Sequence, residues 1–163
     1  MNHTENQTME DSFDCIITKY SKMVYRLAFS IVKNKYDADD IYQEVFLRYI
    51  KNKPCFESEE HQKAWLIRVT INCSKSMLRS AFWRRHAQLE EYIPVVTKEH
   101  IDLLSELRKL PPKYSIVIHL FYYENMSIDE ISKVIGKSPS AVKMRLVRAR
   151  AMLKGFIKEE DYV

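Results

Sequence analysis

Two blocks of this chain hold cations without acids, at a density that suits a polyanion. Residues 137–154 carry six Lys or Arg and no Asp or Glu, and residues 61–86 likewise carry six and none. The intervening stretches are acidic: residues 1–60 hold 8 basic and 11 acidic side chains, and residues 87–136 hold 5 and 8. A solubilising surface intersperses both signs. Two all-basic blocks in a chain of formal net charge +4 point to two separate contacts with nucleic acid. The competing reading is two solvated helix faces that happen to lack acids.

The first test is angular. In SPSAVKMRLVRARAMLK, residues 138–154, Val142, Leu146, Ala149, Leu153 and Phe156 step by 4, 3, 4 and 3 and form one apolar stripe. At 100° per residue, Ser140, Lys143, Met144, Val147 and Arg148 point away from it, while Arg145 and Arg150 lie on its flanks. That is the distribution of a helix that enters a DNA groove: outward residues meet base edges and flanking cations hold phosphates. Met144 and Val147 fit thymine methyls or another protein better than they fit water. Just upstream, Ser127-Ile-Asp-Glu130 has the form of a capping box. Gly136 suits the left-handed turn after a helix, and Ser138 with Pro139 suits the start of the next. Two helices joined by a short Gly-containing turn make a helix-turn-helix.

The second basic block, AWLIRVTINCSKSMLRS, places Arg68, Asn72, Lys75 and Arg79 within about 60° of one another on a helix. Leu66, Val69, Cys73 and Met77 form its apolar face, and Trp65 reads as core. An amide among cations, followed by Trp83, Arg84 and Arg85, is a set that can bond and stack on unpaired bases. The helix DADDIYQEVFLRYIKNK, residues 37–53, is opposite in character. Ile41, Tyr42, Val45, Phe46 and Tyr49 take its buried arc, and Asp40, Gln43, Glu44 and Leu47 share the other. Acids repel phosphate, so acids around an outward Leu fit a protein-docking surface. Complementing the helix dipole explains Asp37 to Asp40, but not Glu44.

The elements that must position these faces are all helices. Apolar residues recur at helical spacing almost throughout, with no sustained alternation. Helices are predicted over 10–33, 37–53, 60–84, 100–109, 113–124, 127–135 and 139–157. EEYIPVVTKEH, residues 90–100, breaks the pattern as a linker, and LPPK, residues 110–113, breaks it again. The 163 residues, 46% of them hydrophobic, suffice for one domain or two small ones. Two glycines in the whole chain disfavour glycine-rich nucleotide loops. No run approaches the ~20 apolar residues of a membrane span, and the polar, acidic start is not a signal peptide. Cys15, Cys55 and Cys73 read as reduced thiols of a cytosolic protein. His3, His61, His86, His100 and His119 show no ligand spacing with them, which argues against a metal-dependent enzyme.

Together these stretches resemble the extracytoplasmic-function (group 4) sigma factors of bacterial RNA polymerase. DADDIYQEVFLRYI is similar to region 2.2, which docks on the β′ coiled coil. AWLIRVTINCSKSMLRSAFWRR is similar to regions 2.3 and 2.4, which open and read the −10 element. LPPKYSIVIHLFYYENMSIDEISKVIGKSPSAVKMRLVRARAMLK is similar to region 4, which reads −35 duplex and touches the β flap. The resemblance implies an all-α protein of two small domains. Region 2 would span 10–86 and region 4 would span 101–158, with a linker over 87–100 that threads the polymerase. It implies β′ contacts from Asp40, Gln43 and Glu44, −10 reading by Asn72, and −35 reading by Lys143, Met144, Val147 and Arg148. It further implies a cytoplasmic, non-enzymatic protein without cofactor, metal or membrane insertion. The implied partners are core polymerase through β and β′, promoter DNA and an anti-sigma protein, in this family often membrane-bound. Ser76, Met144 and Ser138-Pro139-Ser140 depart from the family pattern and bear on which promoter is preferred. A stand-alone helix-turn-helix regulator with a helical effector or dimerisation domain remains the alternative. It accounts for 101–158 but leaves 61–86 basic without a reason.

Overall fold

The computed structural model describes the backbone of residues 2–87 and 107–160, and the side chains of 12–82 and 107–156. Among them every regular element is a helix. α1 is Asn2–Val32, α2 Lys35–Asn52, α3 Glu59–Ala87, α4 Pro112–Ile118, α5 Ile128–Ile135 and α6 Pro139–Glu160. The linker expected over 87–100, and most of the helix expected over 100–109, lie outside the described residues.

In the N-terminal half α1, α2 and α3 pack against one another. Val24, Leu27 and Ile31 from α1, Ile41 and Val45 from α2, and Leu66 and Ile67 from α3 are almost wholly enclosed. The chain turns sharply between these helices. Lys33 is left-handed at φ 60, and its N–H closes α1 on Phe29 O at 2.8 Å. Asn34 then caps α2, its side-chain oxygen accepting from Tyr36 N at 2.8 Å and Asp37 N at 3.4 Å. This cap starts α2 two residues before the expected 37. Along α3 the buried arc is wider than the predicted Leu66, Val69, Cys73 and Met77, and it takes in Ile67, Thr70, Ile71 and Ser74. Thr70 Oγ1 donates to Leu66 O and Ser74 Oγ to Thr70 O, each at 2.7 Å. Hydroxyls satisfied by their own helix can be buried without an orphaned donor.

In the C-terminal half Leu110, Val117, Leu120, Ile131, Val142, Leu146 and Ala149 form the core. The prolines of LPPK break the chain as predicted, and Pro112 sits in the first turn of α4. The helix expected over 113–124 does not continue as α to its end. It widens to a π turn over His119–Tyr123, closed by Glu124 N donating to His119 O at 3.2 Å. The wider turn lets the His119 and Tyr123 rings stack, 5.2 Å apart and 16° from parallel. The predicted capping box is present: Ser127 N donates to Glu130 Oε2 at 2.7 Å, and Glu130 N to Ser127 Oγ at 3.2 Å. Those bonds also hold the Glu130 carboxyl below the ordinary carboxylate range. Gly136, at φ 67, ends α5, and Ser138 Oγ accepts from Ala141 N at 3.2 Å to open α6. The two halves touch where α1 meets α4 and α3 meets α5.

Candidate nucleic-acid and protein interfaces

α6 carries its side chains as the angular reading expects. Val142, Leu146 and Ala149 are buried, and Leu153 and Phe156 are half-buried against the same core. Ser140, Lys143, Met144, Val147 and Arg148 are exposed, with Met144 at 50% and Val147 at 58%. The flanks differ from each other. Arg145 is half-buried. Arg150 is exposed but already engaged: its Nε donates to Tyr122 Oη at 2.7 Å, and its guanidinium lies over the Phe121 and Tyr122 rings at 5.5 and 5.6 Å. A guanidinium fixed this way keeps most of its five donors but loses its reach. Arg150 is therefore a pinned cation on the flank where the sequence places a phosphate-holding one.

α3 presents Arg68, Asn72, Lys75 and Arg79 to solvent. Asn72, Lys75, Ser76, Leu78 and Arg79 line one shallow depression, and Arg79 Nη2 donates to Ser76 Oγ at 3.3 Å. Flat, open and cationic, this surface suits a strand laid along it rather than an enclosed small molecule. Trp65 belongs to the packing beneath, its ring 5.9 Å from Tyr49 and 6.0 Å from Phe56. The side chains of Trp83, Arg84 and Arg85 lie outside those described.

α2 presents Asp40, Gln43, Glu44 and Leu47 together, and Leu47 is 60% exposed. Glu44 is less free than the sequence suggested, because Arg48 Nε donates to Glu44 Oε1 at 2.6 Å one turn along. An exposed pair of this kind contributes little to stability, and a partner that outbids Arg48 can still claim Glu44. Near this pair, burial pushes the Cys73 thiol up, which keeps it protonated and unreactive. Among the described residues, no three His, Cys, Asp or Glu are grouped to hold a metal ion. No helix there is long and apolar enough to cross a membrane.

Sequence reasoning missed the contacts between the halves. Lys33 Nζ donates to Leu110 O. Lys63 Nζ pairs with Glu124 Oε2 at 3.1 Å and lies 3.4 Å from Glu124 O. Arg108 stands over the Phe29 ring at 4.9 Å. His119 Nε2 is 3.6 Å from Glu124 Oε1. That is too long for a hydrogen bond, so the buried nitrogen has no hydrogen-bond partner. His119 first, then Lys63, hold the Glu124 carboxyl below the ordinary range against the opposing effect of burial.

Comparison with known proteins finds a family match in each half. The family model for sigma-70 region 2 matches residues 16–84, and the model for sigma-70 region 4 matches residues 100–153. The chain is 30% identical over 162 residues to RNA polymerase sigma factor SigV of Bacillus subtilis strain 168, covering 96% of this chain and 98% of that one. It is 26% identical over 170 residues to ECF RNA polymerase sigma factor SigW of the same strain, covering 92% and 91%. Among solved structures, it resembles sigma factor RpoE in a complex with the anti-sigma factor NepR from Bartonella quintana. The TM-score is 0.78 at 19% identity, over 90% of this chain and 97% of that chain. At that identity the likeness concerns the fold. A stand-alone helix-turn-helix regulator does not account for the match over 16–84, so that alternative is set aside.

Proposed function

Since the chain belongs to the extracytoplasmic-function group of the sigma-70 family of RNA polymerase sigma factors, we propose a division of its initiation work among three surfaces. As a sigma factor it directs core polymerase to specific promoters. In our reading, Asp40, Gln43, Glu44 and Leu47 on α2 bind β′. Arg68, Asn72, Lys75 and Arg79 on α3 capture unpaired −10 bases. Ser140, Lys143, Met144, Val147 and Arg148 on α6 read −35 duplex, with Arg145 and the pinned Arg150 holding phosphates. Region 2 would extend over 10–86 and region 4 over 101–158, with 87–100 as the linker between them.

One observation carries this reading. Each basic face lies exposed on its own helical unit, and each unit is matched by its own family model, in family order. The chemistry needed is binding, not catalysis. Cations neutralise phosphates, Asn72 bonds a base edge, and the contacts made to splayed bases offset the few kcal/mol that unstacking costs. No catalytic residue, cofactor or metal enters the account, and the protein would act in the cytoplasm, beside the polymerase. The Bartonella relative was solved with an anti-sigma factor. For this chain we place an anti-sigma protein among the partners, on the family resemblance.

Co-purification tests the α2 assignment. Wild-type protein should retain core polymerase, and the Asp40→Ala/Glu44→Ala variant should release it. Undiminished retention by that variant would remove α2 from the polymerase interface.

A further inference from the structure

We propose that Tyr122 is a positioning residue for DNA binding: it holds the Arg150 guanidinium ready for a backbone phosphate at the edge of the α6 reading face. The proposal rests on the duplex-binding reading of α6 given under Proposed function. It adds to that surface a residue from outside the helix-turn-helix, and it gives the pinning of Arg150 a use.

Arg150 is exposed, yet three contacts hold it in place. Its Nε donates to Tyr122 Oη at 2.7 Å, and its guanidinium carbon lies 5.5 Å from the centre of the Phe121 ring and 5.6 Å from that of Tyr122. The two rings brace each other edge to face, at 5.0 Å and 76°. Both belong to the π turn His119–Tyr123, and π turns occur frequently at functional sites. Tyr122 itself is 52% exposed, so packing into the core does not account for its place.

The chemistry follows from which guanidinium edge is taken. Tyr122 occupies Nε and leaves the N–H donors on Nη1 and Nη2, with the plane of the group fixed by the rings. That fork fits two oxygens spaced as in a carboxylate or a phosphate. Position selects phosphate. Arg150 is seven residues from Lys143, which puts it about 20° from Lys143 around α6 and about 10.5 Å further along. The two cations therefore share one edge of the reading face. DNA carries one charge per about 3.4 Å of each strand, so cations at that spacing meet separate phosphates. Residues 137–154 hold no acid, so no neighbour on the helix competes for the fork. A side chain ordered in advance loses less freedom when the duplex arrives. The contact carries no sequence information, and Tyr122 thereby affects affinity uniformly, whereas Arg148 affects preference.

Anisotropy titration of the full chain against a short labelled duplex of random sequence, over a series of salt concentrations, tests this. Tyr122→Phe keeps the ring and removes the acceptor. It should weaken binding about three- to tenfold, the range of one net hydrogen bond, with helical circular dichroism unchanged. Arg150→Met should weaken binding at least as much, and it should lower the slope of log affinity against log salt by about one. In the Arg150→Met background Tyr122→Phe should have no further effect, an outcome that a merely structural role would not produce. If Arg150→Met changes neither affinity nor slope, the reading of that flank as phosphate-holding fails, and this proposal with it. If Arg150→Met weakens binding while Tyr122→Phe binds as wild type does, or if the two losses simply add, the reading stands and the positioning role is overturned. Should Tyr122→Phe lose helicity, Arg150→Lys keeps the charge without the fork. It should bind more weakly at an unchanged salt slope, and wild-type affinity would overturn the proposal.

Discussion

Asn72 and Arg148 are set apart by what each can touch. Asn72 lies exposed amid Lys75, Ser76 and Arg79 on an open surface, and in the reading proposed above its amide bonds a −10 base that has left its partner. Replacing it with Ala should slow open-complex formation more than duplex binding. Permanganate footprinting beside gel-shift titration checks this, and equal losses in both would contradict strand capture. Arg148 projects from the outer face of α6 beside Met144 and Val147, and a bidentate bond to guanine is worth about 1–3 kcal/mol. Arg148→Ala should therefore lower output from a −35-dependent promoter by roughly one to two orders of magnitude; unchanged output would place Arg148 against solvent or protein. The outward set on α6 was legible in the sequence because one apolar stripe fixes the opposite face by geometry alone. The tether on Arg150 was not. Its partner Tyr122 lies 28 residues away, and no local pattern announces such a contact.

Helix ends and helix faces differed in the same way. The capping box at Ser127 was readable because its two bonds join residues three apart, and so was the turn at Gly136. Ser127→Ala should destabilise the protein by about 1 kcal/mol, with the loss confined to the C-terminal half. Thermal unfolding followed by amide exchange measures it, and protection unchanged across α5 would show that the cap contributes nothing. The π turn at His119–Tyr123 left no mark on periodicity, since a single wide turn shifts the phase only at the helix end. The burial of Thr70 and Ser74 was equally hidden. Their types read as polar, and only the bonds back to Leu66 and Thr70 carbonyls make them fit for a core.

At the scale of the whole molecule, two helical units were legible from the charge blocks and the break in helical pattern at EEYIPVVTKEH, because each unit folds on contacts close in sequence. How the units meet was not legible. The contacts of Lys33 with Leu110 and of Lys63 with Glu124 join residues drawn from opposite halves, and their types alone place them on ordinary solvated faces. The acidic α2 face and the two basic faces nevertheless stand exposed while the halves are in contact. The most direct test of the account is run-off transcription with purified core polymerase and wild-type chain on genomic fragments, with start sites mapped. The account predicts transcripts absent with core alone, whose starts share two upstream elements, and which are lost with Asn72→Ala/Arg148→Ala. Transcription no higher than core alone on every fragment would contradict it.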